Sequence, residues 1–380
     1  MHTFYTTLDS FNPTDAQTTS LLTLLPNSAR ARILRYRRQE DRHRSLLGWL
    51  LLFRWKETAG FAGRVLEDLV GVGEGGKPFF KPTGEPSTPT HVDYNITHDE
   101  NLVMFSVKTY RDSNRSPSPT SPVPENTSEH ISRSDNMKKK RNRQAPMIGV
   151  DCMRLDREVN ELKALDEVLS DQLGEHEQRF IPHFKGPTLD ISPYADNSLR
   201  ERMDHLLTLW TVKEAYTKML GCGLSMDFQT VQVIFHDSLQ RLLFTPPTGT
   251  DTGSSSNSDV KTTSTSTPTE QIDSRYNQRK RCHLCDPAAM SIHLDGRDLK
   301  QTSSGLSYQL HARLGKITTE LRRWTHSDDS RDDNRNRKGT QEYVWACVWY
   351  AEAGDGVDCE SWSLTRVDAD ELCALASETT

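Results

Sequence analysis

Trp210, Glu214 and Lys218 recur at i, i+4 and i+8 within Leu209-Trp210-Thr211-Val212-Lys213-Glu214-Ala215-Tyr216-Thr217-Lys218. A helix stacks all three on one face. The helical pattern starts near Ser198 and stops at Gly221-Cys222-Gly223. A carboxylate and an ammonium beside a large aromatic, on a segment otherwise full of Leu and Met, mark a candidate site. Taken alone the pattern also describes a partly exposed Glu–Lys helix pair. Asp151 closes Met147-Ile148-Gly149-Val150-Asp151, read as a short buried strand; an acid there caps a turn or ligates a metal. Seven arginines between Arg30 and Arg44 are a solvated face or a patch for an anion.

Two tempting motifs fail on context. Gly71, Gly73 and Gly76 fit G-x-G-x-x-G, and Gly71, Gly76 and Lys77 fit the start of a phosphate-binding P-loop. Both motifs need a helix whose N-terminus meets the phosphate, and Pro78-Phe79-Phe80-Lys81-Pro82 follows instead. Pro78 also stands where a P-loop needs a hydroxyl for magnesium. Cys282-His283-Leu284-Cys285 resembles half of a zinc site, but no second pair at metal spacing follows, which argues against a structural zinc.

The 380 residues carry 47 Lys+Arg and 53 Asp+Glu, a formal net charge of −6, so no positive excess points to nucleic acid. The hydrophobic fraction of 34% is low for a globular enzyme, which usually holds about 45–50%. Three hydrophilic inserts account for much of that: 111–146, ending in a basic run from Lys138 to Arg143; 245–280, almost all Thr, Ser, Gly, Pro and Asp; and 325–340. Such stretches bury too little apolar surface to offset chain entropy and read as disordered. No run of 18 apolar residues and no basic-then-apolar N-terminal signal occurs, so a soluble cytoplasmic protein without membrane contact is expected. The seven cysteines, an odd number, are expected as free thiols.

The elements that must position these residues alternate irregularly. A helical pattern runs from about Asn27 to Thr58, basic first and then apolar. Leu102 to Val107 reads as a strand, with Thr97-His98 as the turn before it, and Ser307–Ala312 and Glu342–Tyr350 as later strands. The mixture predicts an α+β fold, with residues 1–110 as an N-terminal half and 147–244 plus 281–380 as a C-terminal half.

In order, Glu40-Asp41-Arg42-His43-Arg44-Ser45-Leu46-Leu47-Gly48, Gly76-Lys77-Pro78, Asn95-Ile96-Thr97-His98, Gly149-Val150-Asp151 and Trp210 to Lys218 resemble the surfactin-type (Sfp-type) 4′-phosphopantetheinyl transferases. The motifs run from about Arg30 to Gly223, and the strands after Ser307 suit the family's C-terminal part. The resemblance implies two similar α+β halves related by pseudo-twofold symmetry, with coenzyme A in the cleft between them. It implies holo-[acyl-carrier-protein] synthase activity: phosphopantetheine passes from coenzyme A to a serine of an apo acyl, peptidyl or aryl carrier protein, releasing 3′,5′-ADP. The alternative is a degenerate relative that binds coenzyme A or carrier protein without turnover. By resemblance, Asp151 and Glu214 are the ligands of Mg2+, or Mn2+ in its place. Glu214 is also the base for the serine proton. Lys218 and Lys213 are the catalytic cations, and Lys77, Thr97 and His98 contact coenzyme A. Arg32 and Arg44 hold its 3′-phosphate, a group that suits guanidinium. Polyketide and nonribosomal peptide synthases and a lysine-biosynthesis reductase are the implied carrier classes, served by a monomer. Two departures stand out. Cys152 and Met153 follow Asp151 where many bacterial members have an apolar residue and then Glu, so water is expected at the third ligand position. Animal-type members lack that Glu as well. Thr97 replaces the usual Ser and keeps the hydroxyl.

Overall fold

A computed structural model describes residues 1–72, 77–81, 91–110, 148–179, 181, 193–235, 290–294, 297–298, 308–321, 339–352 and 362–376. The first two inserts, residues 325–338 of the third, Cys282, Cys285 and Gly73 to Gly76 lie outside them. The chain forms two compact units: Met1–Val150 with Lys218–Cys222 and Trp349–Thr380, and Asp151–Thr217 with Gly223–Val348. The C-terminal segment from Trp349, expected with the second half, thus clusters with the first unit. The architecture is α+β, and no helix among the described residues is long and apolar enough to cross a membrane.

The first unit is built on a four-stranded sheet. Strands β1 (His2–Thr7), β4 (His91–Asp99), β5 (Leu102–Tyr110) and β12 (Ser363–Arg366) lie in the order β12-β1-β5-β4. The β1–β12 pair is parallel, the others antiparallel. Period-two alternation sends Val92, Tyr94, Val103, Phe105 and Val107 into one core. Asp93, Asn95 and Thr97 face the other way along β4. Helices α1 (Asp15–Thr23), α2 (Asn27–Arg35) and α3 (Gln39–Thr58) cover the apolar face, where Leu46, Leu47, Leu50, Leu51 and Trp55 of α3 are buried. Trp55 meets Phe80 edge-on at 5.6 Å between ring centroids, and Tyr94 lies 6.0 Å from Phe105. The unit also holds α4 (Leu66–Leu69), the hairpin of β2 (Val70–Val72) and β3 (Pro78–Phe80), and a final helix α8 (Ala369–Ala374). Lys77 is followed by a strand rather than a helix, as the rejection of a P-loop required.

The second unit contains most of β6 (Ile148–Arg154), β10 (Tyr308–Leu321) and β11 (Gly339–Glu352), a sheet of order β10-β11-β6, and a second sheet of β7 (Val231–Phe235), β8 (Met290–Leu294) and β9 (Arg297–Asp298). Its helices are α5 (Val159–Ser170), α6 (Glu175–Gln178) and most of α7 (Pro193–Leu220). Helix α7 stops at Gly221, whose φ of 77° only glycine adopts cheaply and whose amide donates to the Lys218 carbonyl at 3.1 Å.

Several sequence expectations are corrected. The single helix from Asn27 to Thr58 is two, because Tyr36 and Arg38 are extended. Glu40 and Asp41 lie in the first turn of α3, where carboxylates favour a fresh N-terminus. Thr97 and His98 belong to β4, and the hairpin turn is Glu100-Asn101, with Glu100 at φ 47°. A Glu at positive φ carries no turn signal. Asp151 sits inside β6, which continues to Arg154, because Leu155 and Asp156 still bond to Glu342 of β11. Helix α7 begins five residues earlier than read, at Pro193, since proline is tolerated in a first turn. Residues 339–340, placed in the third insert, open β11, and both long strands outrun their apolar patterns.

Gly48 of α3 crosses β4 closely: a Cβ there would lie 2.6 Å from Ile96 Cγ2. Gly48→Ala is expected to lose stability, because overpacking costs about 1–3 kcal/mol against a helix-propensity gain of about 0.5–1 kcal/mol. Chemical denaturation decides this, and a rise in midpoint would show that α3 moves aside freely.

Candidate functional site

In the first unit the expected ligand-binding side chains come from α2, α3, the segment before β3, β4 and the end of α7. Alternation along β4 puts Thr97 on the polar face, where it is 4% exposed and its Oγ1 accepts from Lys218 Nζ at 3.1 Å. His98 points the other way and is exposed at its outer edge. Surrounding protein nevertheless desolvates the ring, and this, followed by the positive charges of Arg44 and Lys218, lowers its pKa from the ordinary 6.5. Asp99 and Asp41 oppose the shift. Arg44 is anchored: Nε donates to the Glu100 carbonyl at 2.5 Å and a terminal nitrogen donates to Asp41 at 2.6 Å. The structure therefore brings Arg44, His98, Thr97 and Lys218 into one cationic neighbourhood, suited to an oxyanion.

Arg32 is exposed on α2. Two other arginines of the basic stretch serve the fold, Arg30 donating to the Leu22 carbonyl and Arg42 to the Tyr36 carbonyl. Lys77 is a clamp. Its ammonium donates to the Ile148 and Met219 carbonyls, both at 3.1 Å, and to Asp93 Oδ2 at 3.4 Å. A phosphate contact would require exchanging one of these three acceptors. Burial raises the Asp93 pKa, opposed by Lys77 and by the Ile148 amide, which donates to Oδ2 at 2.5 Å.

In the second unit, Asp151 is buried on β6 and Glu214 half-buried on α7. Trp210, one turn before Glu214, stacks on Phe228 with centroids 4.6 Å apart and planes 12° from parallel. Lys213 departs from the role expected beside a phosphate. It is fully buried, and its ammonium donates to Glu177 at 2.5 Å, the Phe228 carbonyl at 2.9 Å and the Gln172 carbonyl at 3.2 Å. With three donors used inside the fold, it is a structural cation. Desolvation lowers its pKa, opposed by Glu177 and Asp227. Glu177 is equally buried and also receives the Val233 and Gly174 amides.

Among the described residues, no group of three or more His, Cys, Asp or Glu side chains is placed to hold a metal. Asp151 and Glu214 supply two carboxylates, the hard oxygen donors magnesium takes, with water or substrate oxygens left to complete an octahedron. Cys152 is buried and Met153 half-buried, and neither adds an oxygen. On donor chemistry the pair fits magnesium.

Residues 9–109 match the family model described as 4′-phosphopantetheinyl transferase, N-terminal, and residues 147–269 the one described as 4′-phosphopantetheinyl transferase superfamily. Together they cover more than half of the chain. The chain belongs to the 4′-phosphopantetheinyl transferase superfamily. This transferase-family chain is also similar to the 4′-phosphopantetheinyl transferase pptA of Paxillus involutus, 26% identical over 216 residues. That match spans 56% of this chain and 65% of the relative, a little under two thirds of its length.

The sequence assigned no role to Asp93, Asn95, Glu177 or Phe228, although Asn95 opens one of the five motifs. The alternation Asp93, Asn95, Thr97 was a usable signal for the first two, since polar residues at period two on a half-buried strand need partners. Glu177 gave none, being 36 residues from Lys213 with no shared pattern.

Two measurements follow. Lys213→Ala leaves Glu177 buried without its cation and is expected to cost about 3–5 kcal/mol of stability, read by urea unfolding; a loss under about 1 kcal/mol would contradict the structural role. NMR titration of His98 should give a pKa below 6.5, rising in Arg44→Gln. The depressed folded value means the unfolded chain binds the proton better, so this contribution to stability is complete above pH 6.5 and lost as pH falls toward the folded pKa. A His98 value above 6.5 would refute the assigned environment.

Proposed function

We propose that the protein transfers 4′-phosphopantetheine from coenzyme A to a serine hydroxyl of an apo carrier protein, yielding holo-carrier protein and 3′,5′-ADP. The observation that carries this reading is the superfamily match in two successive segments, with Asp151, Glu214 and Lys218 standing in the second.

The serine oxygen attacks the phosphorus that bears the pantetheine arm, the new P–O bond forms, and the anhydride bond to the adenosine-bearing phosphate breaks. Glu214 takes the serine proton, directly or through water. Negative charge grows on the departing phosphate of 3′,5′-ADP, and Lys218, with Thr97 at its ammonium, meets that charge. Arg44 and His98 bind the coenzyme's phosphates; His98 does so at neutral pH as a hydrogen-bond donor, since its pKa is lowered. Magnesium held by Asp151 and Glu214 would supply charge neutralisation at the pyrophosphate. Lys77 and Lys213 support the fold around these groups. Carrier proteins of polyketide, nonribosomal peptide or lysine-biosynthetic enzymes are the substrates to try first.

Intact mass of an apo carrier protein, incubated with this protein, coenzyme A and magnesium, tests the reading. Gain of one phosphopantetheine is expected, and its loss in Glu214→Gln, in Asp151→Ala and with chelator. Coenzyme A binding with no gain across several carrier classes would replace the proposal with a binding protein that does not turn over.

A further inference from the structure

Among the described residues, strand β6 lies at the edge of its sheet and pairs with β11. Residues of one parity along a strand present their amides to the same edge. Leu155 donates to Glu342 of β11, so Gly149 and Asp151 share the β11 edge, while Ile148 and Val150 turn their amides away from it. Both are 0% exposed, which leaves no water to satisfy those amides. Side chains of β4 supply the acceptors. Ile148 N–H donates to Asp93 Oδ2 at 2.5 Å, and Val150 N–H donates to Asn95 Oδ1 at 3.1 Å. Lys77 completes the set by donating to the Ile148 carbonyl at 3.1 Å.

Register is the quantity at stake. A slip of one residue along β6 would move the Asp151 carboxylate to the opposite face of the sheet. Burial resists such a slip, and hydrogen bonds to the Ile148 and Val150 amides add to that resistance. Asn95 acts on the amide immediately before Asp151, nearer to it than any other of these side-chain contacts. Its amide oxygen is the acceptor, and its position, two residues from Asp93, matches the two-residue step from Ile148 to Val150.

We infer that Asn95 is a positioning residue for Asp151, fixing the register of β6 so that the carboxylate is presented for a divalent cation. This rests on the reading of Asp151 as a metal ligand in phosphopantetheinyl transfer. The effect of Asn95 passes through the Val150 amide. Loss of an outer partner of a metal ligand typically weakens metal binding about 10–100-fold.

The test is Mn2+ binding in the presence of coenzyme A, followed by electron paramagnetic resonance on the full chain, beside coenzyme A affinity and thermal unfolding. Asn95→Leu keeps the volume and removes the acceptor; it should weaken Mn2+ binding about 10-fold or more while coenzyme A affinity measured without metal stays unchanged. Asn95→Asp restores an oxygen at the same place and should recover most of that loss. Unchanged Mn2+ affinity in Asn95→Leu overturns the inference, as does equal weakening in both variants. Should Asn95→Leu fail to fold, Asn95→Thr, whose hydroxyl lies closer to the backbone than the lost acceptor, carries the same expectations. Wild-type protein that binds no Mn2+ and modifies no carrier would overturn the transferase reading itself, an outcome distinct from wild-type binding that Asn95 leaves untouched.

Discussion

The backbone of Ile148 is held by an ion pair. Asp93 accepts its N–H and Lys77 donates to its C=O, while Lys77 and Asp93 lie 3.4 Å apart. An acceptor for a donor and a donor for an acceptor is what a neighbouring strand would offer. The same ammonium donates to the Met219 carbonyl near the end of α7, where the helix dipole favours a cation. One lysine therefore ties together β4, the start of the strand that runs on into Asp151, and the helix turn that carries Lys218. Most of its value is geometric. Burial has already withdrawn water from Asp93, so removing either charge strands the other, and the pair resists rearrangement more than it adds net stability.

The second unit solves a similar problem with Lys213 and Glu177. Lys213 is one residue from Glu214 on α7, but a helix turns about 100° per residue, so the two point to different faces. Lys213 goes inward and spends every donor on α7's surroundings, leaving Glu214 half-exposed. A buried cation pinned by Glu177 and two carbonyls limits rotation of α7 about its own axis. Trp210 stacked on Phe228 opposes the same rotation one turn earlier. Preorganisation of this kind matters for phosphoryl transfer, where positioning and charge stabilisation carry nearly all of the catalysis.

Much of this was legible in the chain before any coordinates. The apolar stripe of α3 and the run Leu102–Val107 follow helical and strand periods, and both elements are present. Five short motifs in order also pointed to the superfamily that the family models match. Boundaries were less legible. The break at Tyr36–Arg38 hides inside a uniformly basic stretch, and the Glu100-Asn101 turn lacks the glycine that usually marks a two-residue hairpin. Thr97 and His98 were misplaced into a turn for that reason, although their identities were picked out.

Residue types and their order along the chain determined the family, the α+β class and the short set of carboxylates, cations and hydroxyls from which a site is drawn. Those properties depend on local patterning and on chemistry each side chain carries with it. Only the tertiary structure decided which partners each cation meets. Lys77, Lys213 and Lys218 look alike in the sequence. Three backbone or carboxylate acceptors surround each of the first two. Lys218 meets the Thr97 hydroxyl, brought to it from 121 residues away. Partners that distant leave no periodic trace, so the division of labour among like residues is a property of the fold.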